Sequence, residues 1–126
     1  MQLVTTLDQN GRAWLIELKE TQDVRLRFDA LREQQHQALS KVLRTGNQSL
    51  VVVKYCPKDL REPERCWAYN YRGIQLEMAT STAKSIHLLD EARYCIANDH
   101  RIELRQIETR GLLPVWNLAP MFRGMK

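Results

Sequence analysis

Ala13-Trp-Leu-Ile-Glu17-Leu-Lys19-Glu20 is a short apolar run with a carboxylate and an ammonium set into it. It follows Asn10-Gly11 and is rich in branched and aromatic residues, so it reads as a β-strand. Successive side chains of a strand point to opposite faces. Trp14, Ile16 and Leu18 therefore share one face, and Leu15, Glu17 and Lys19 share the other. Burying Glu17 and Lys19 costs free energy unless they are paired or bound to a cation. That makes the pair a candidate site. The plainer alternative is an edge strand with a solvated outer face.

Upstream, Leu3-Val-Thr-Thr-Leu7 reads as a second strand, and Asn10-Gly11 signals a two-residue hairpin turn. Such a turn sets Val4 opposite Glu17 and Asp8 opposite Ala13. Downstream, Thr21–Phe28 is a polar connection and Asp29 offers an N-cap. A helix is expected over 30–45, stopped by Gly46. Its inner face carries Leu31, Gln35, Ala38 and Val42, and its outer face Arg32, Gln37, Lys41 and Arg44. Leu50–Tyr55 reads as a buried strand. Pro57–Glu64 is a charged loop, and Cys66–Tyr71 a further strand that Gly73–Met78 extends or follows. The apolar spacing of Ala83, Ile86, Leu89, Ala92 and Ile96 predicts a second helix over 82–97. Arg101–Ile107 reads as a late strand, and 109–126 as an irregular apolar tail. The expected fold is a single α/β domain over 1–126, a mixed central sheet flanked by helices.

At 126 residues the chain is long enough for one domain with a real core. A net charge of +4 is compatible with nucleic acid without being diagnostic of it. The first residues lack a signal-peptide pattern, and no apolar run has the ~20 residues a membrane helix needs. Cys56, Cys66 and Cys95 have no close pairing, which points to a reducing, cytoplasmic compartment. With His36, His87 and His100 scattered, the spacing excludes the usual structural zinc motifs.

The order of Trp14-Leu-Ile-Glu17-Leu-Lys19-Glu20-Thr21, then Leu31-Arg-Glu-Gln-Gln35-His-Gln-Ala-Leu39, then Gly46 and Leu50-Val-Val-Val53 resembles the PD-(D/E)xK nuclease superfamily. The likeness is nearest to its Holliday-junction resolvase and VRR-NUC-like members, and it covers roughly residues 12–55. It implies a restriction-endonuclease-like fold, Mg²⁺ or Mn²⁺ as cofactor, DNA as partner and a homodimer. It implies Glu17 as a metal ligand, Lys19 as the group beside the attacking water, and Gln35 as the residue that holds Lys19 or that water in place. The family also carries an Asp on the neighbouring strand, where this sequence has Val4. Asp8 lies four residues nearer the turn, roughly 13 Å along a strand. Glu33 is a second candidate carboxylate, on the helix but away from the Gln35 face.

Two functions follow from different classes. One is a metal-dependent nuclease that hydrolyses phosphodiester bonds in branched or duplex DNA. The other is a catalytically degenerate protein of the same fold that binds nucleic acid or a protein partner, such as an accessory or inhibitor protein of a phage or mobile element. Arg25, Arg27, Arg32, Lys41 and Arg44 are the candidate phosphate contacts, against the alternative of a solvated helix face. Trp67, Tyr69 and Tyr71 read as core more readily than as a base-stacking platform, and His36 as an exposed helix residue. Leu112–Phe122 is the candidate dimer contact.

Overall fold

The computed structural model describes residues 2–7, 13–89, 94–110 and 113–117, with side chains over 13–89 and 94–105. The strand around Glu17 forms as expected: β2, Ala13–Thr21, lies inside a six-stranded mixed sheet. Its neighbour on one side is β1, Gln2–Leu7, which runs antiparallel. On the other side lies β4, Gln48–Tyr55, which runs parallel. The order continues through β5, Arg65–Asn70, and β7, Arg101–Arg110, to β8, Leu113–Asn117, each antiparallel to the strand before it. A separate two-stranded ribbon pairs β3, Arg25–Arg27, with β6, Ser85–His87.

Parallel strands need a crossover, and α1, Glu33–Arg44, lies in the one between β2 and β4. This helix starts three residues later than the sequence suggests. Phe28–Ala30 forms a 3-10 turn, Arg32 takes the N-cap position, and Asp29 sits in the turn with its carboxylate on Arg27. Gly46 ends the helix at φ 82°, a left-handed conformation that a residue without Cβ adopts freely. Asn47 then links the helix exit to the sheet, its side-chain oxygen accepting from the Ala13 amide at 3.0 Å.

The alternation along β2 divides the core. Leu15, Val51, Val53, Trp67 and Tyr69 face the helices with Leu39 and Ile74, while Trp14, Ile16, Leu50, Val52, Ala68 and Leu104 form a layer on the other face. Trp67 and Tyr69 are core residues, as their spacing implies.

Further expectations are corrected. The hairpin register is shifted by one residue: Leu7 pairs with Ala13, so Leu3, not Val4, stands opposite Glu17. The expected turn at Asn10-Gly11 itself lies outside the described residues. Next, β5 stops at Asn70, and a helix, α2, begins at Tyr71 and runs to Thr80 in place of further strand. Asn70 caps it, its side-chain oxygen accepting from the Arg72 amide at 3.0 Å, a signal hidden between two aromatic residues. Finally, no helix spans 82–97: Ile86 sits in β6 against Leu26, and Ile96–His100 is a 3-10 helix. A backbone partner some sixty positions upstream in the chain, β3, overrides a local apolar spacing that suits either structure. The tail expected to be irregular over 109–126 is strand where it is described: β7 continues to Arg110, and Leu113–Asn117 pairs with it as β8, so pairing across the sheet orders a stretch that has no periodicity of its own. Residues 90–93, with Asp90 and Glu91, and 111–112 and 118–126 lie outside the described residues.

Among the described residues, Cys56, Cys66 and Cys95 are free, and no helix is long and apolar enough to cross a membrane.

Candidate functional site

Strand alternation puts Glu17 on the helix-covered face of β2, level with Val51 of β4 and Leu3 of β1. The side chain is 0 % exposed. Neither carboxylate oxygen has a hydrogen-bond partner among the described residues. An ionised carboxylate in such surroundings loses its hydration without replacement. Burial accordingly raises the pKa of Glu17, against the opposing pull of the Lys19 charge.

Lys19 follows on the same face, level with Val53, and is half-buried. Burial lowers its pKa; the charge of Glu17 works the other way, and that of Arg32 adds to the lowering. Glu17 and Lys19 thus interact without a direct ion pair, and the charge of Arg32, at the start of α1, is felt at Lys19.

Gln35 is placed differently. Its side-chain oxygen accepts from the Arg32 backbone amide at 2.7 Å, closing the N-terminus of α1. This is the reciprocal half of a capping box, with the glutamine at N3. Gln35, expected to face the site, is half-buried, and the open amide at the helix start claims its side-chain oxygen. Glu33 is exposed, and its contact is with Gln37 on the next turn at 3.4 Å. Asp8 lies outside the described residues.

No family model, curated protein or solved structure matches this chain. The chemistry of the side chains therefore decides what the site can hold. A magnesium ion takes oxygen ligands, commonly one or two carboxylates completed by waters and substrate phosphates. The two orphaned oxygens of Glu17 fit one such carboxylate. Among the described residues no group of three or more His, Cys, Asp or Glu is placed to hold a metal ion.

The basic residues divide. Arg27 forks onto Asp29 at 2.9 and 3.0 Å, both side chains exposed. Arg25, Arg32, Lys41 and Arg44 are exposed, with no ion pair among the described residues. Arg32 stands at one end of α1, and Lys41 and Arg44 in its last turn.

His36, expected on the exposed side, is half-buried. One ring nitrogen, Nε2, lies 2.8 Å from the Phe28 carbonyl, and the other, Nδ1, lies 2.6 Å from the Tyr71 hydroxyl. A carbonyl only accepts, so Nε2 carries the proton, and in the neutral ring Nδ1 accepts from Tyr71. Tyr71 keeps its proton for this: burial pushes its pKa up to about 12. Gln75 donates to Ser40 at 2.7 Å beside it. The cluster joins the 3-10 turn, α1 and α2. The sequence hides it, because Tyr71 continues the alternating pattern of the strand before it.

Proposed function

We propose that this chain is a metal-dependent nuclease acting on branched or duplex DNA, of the PD-(D/E)xK kind. The observation that supports it is Glu17: a buried carboxylate with two unpartnered oxygens, two residues from a lysine on the helix-covered face of a strand. A group so placed costs stability and is retained where it has a charge to meet. Glu17 would hold Mg²⁺ or Mn²⁺, with substrate phosphate oxygens and waters as further ligands. The ion would supply Lewis-acid polarisation of the phosphate and a water of lowered pKa. Lys19, its own pKa lowered, sits where it can orient that water or meet the negative charge that develops on the phosphate. Arg32 adds positive charge beside it. Arg25, Lys41 and Arg44 position the DNA backbone without reading its sequence. The resemblance that supports this reading also suggests a homodimer, with Leu112–Phe122 in the contact.

A second reading is favoured by a different observation. Glu17 is fully buried with its pKa raised, and Gln35 is committed to the helix cap. A protonated carboxyl is a poor metal ligand. On this reading the fold binds nucleic acid or a protein partner and does not cut.

Cleavage of junction, flap and linear duplex DNA in Mg²⁺ and Mn²⁺, by wild type, Glu17→Gln and Lys19→Ala in parallel, separates the two. The nuclease reading expects cutting by wild type alone, with each variant lower by about two orders of magnitude or more, while DNA binding survives. Equal cutting by all three would mark a contaminant, and no cutting by any would leave the binding reading. Light scattering on the same samples reads the dimer.

A further inference from the structure

On the face of the sheet away from the helices, Trp14, Leu50 and Ala68 are 0 % exposed, Leu104 2 % and Cys66 3 %. Every member of this apolar layer belongs to the sheet itself, and so do the two half-buried residues packed against it, Leu18 and Ile102. α1, α2, the two-stranded ribbon and the 3-10 helix Ile96–His100 all pack in the other layer. Strands side by side satisfy one another's edges and leave their faces open, so a face this dry has a second layer over it. Outside the described residues, 8–12 and 90–93 carry no large apolar side chain, and 111–112 is two residues long. The stretch 118–126 differs. Its Leu118, Met121, Phe122 and Met125 recur at i, i+3, i+4 and i+7, the spacing of one apolar side of a helical segment, with Arg123 opposite. Its point of departure fits too: β8 ends at Asn117, which pairs with Arg105, next to Leu104 at the rim of the layer. Trp14 on β2 lies three strands in from β7, roughly 14 Å at ~4.8 Å per strand. Nine residues reach about 13 Å as a helix and about 30 Å extended.

We propose that 118–126 folds back over this layer as its cover, with Leu118, Met121, Phe122 and Met125 against the sheet. A second copy or a foreign partner fits less well, because either would dry the layer only in a complex, and it is already dry in the single chain. With the apolar side of the segment taken up within the chain, a dimer contact through the tail falls to 112–117. The assignment is independent of whether the Glu17 site cuts DNA, since Glu17 stands on the opposite, helix-covered face with Leu15 and Val51.

Cys66 reports the cover directly, because it sits in this layer while the buried Cys95 sits in the other. Burial pushes the Cys66 thiol up to about 12, which keeps it unreactive while covered. Labelling of the full chain with N-ethylmaleimide, located by peptide mass spectrometry, compares wild type with Met121→Lys plus Phe122→Lys. Labelling of Cys66 should rise on the order of tenfold in the double variant, with Cys95 still protected. A double variant that protects both cysteines as wild type does overturns the cover. A photo-crosslinking p-benzoylphenylalanine in place of Phe122 gives a second reading in the full chain without loosening the fold. Irradiation should link it to peptides of β2, β4 or β5 in the same chain. Links to α1 or α2, or links between two chains only, overturn the assignment.

Discussion

Glu17 is held at a thermodynamic cost that its neighbours do not offset. In the unfolded chain its carboxyl titrates near 4.5, and in the fold it keeps the proton to higher pH. The folded state therefore binds more protons than the unfolded state between those two values. By linkage, this contribution to stability is full below about pH 4.5 and falls as pH rises through the folded pKa. Replacing the carboxyl by an apolar side chain of similar length removes both the cost and the slope. Glu17→Met should gain about 1–3 kcal/mol at pH 8, the usual cost of an orphaned buried polar group. Urea unfolding at pH 5 and pH 8 checks it; a variant less stable than wild type at pH 8 would show that Glu17 has a partner in solution. A substitution that stabilises the fold while removing its candidate function is the usual mark of a site under functional constraint.

At the scale of elements, α1 carries the test of what Gln35 does. If the side chain serves only the helix start, Gln35→Ala should cost about 0.5–2 kcal/mol, and Gln35→Glu should restore it, because a carboxylate accepts the same bond and suits a helix N-terminus. Thermal unfolding of the pair reads this. Loss of DNA cutting in both variants, with stability kept in the glutamate, would instead assign Gln35 to the site. α2 is tied to α1 through the half-buried hydrogen bond between His36 and Tyr71. Tyr71→Phe leaves Nδ1 without its donor and should cost about 1–3 kcal/mol, measured by denaturant titration.

For the whole molecule, the net charge of +4 is distributed so that Arg25, Arg32, Lys41 and Arg44 remain available to phosphates while Arg27, Arg61 and Arg65 are engaged by Asp29, Asp59 and Glu103. If the chain binds DNA as proposed, affinity should fall steeply with salt, and Lys41→Gln with Arg44→Gln should flatten the slope by about 0.9 for each phosphate no longer neutralised. Fluorescence anisotropy at several salt concentrations measures it, and an unchanged slope would return both residues to a solvated helix face. Local pattern alone accounts for β2 and its two faces, the Gly46 stop, the buried β4 and the helix between them. Alternation, helical period and a glycine at a left-handed turn are properties of neighbouring residues. Glu17 and Lys19 are legible in the same way, because two charges inside an apolar run are visible without a fold. What pairs with what is not a local property. The register that sets Leu3 against Glu17 comes from strand pairing, not from the Asn10-Gly11 signal. The conformation around Ile86 comes from β3, a distant partner whose backbone groups satisfy those of β6. Gln35 turns to the helix start because an unpaired amide lies within reach there. Periodicity says which face a side chain takes; only packing says which group across that face it meets.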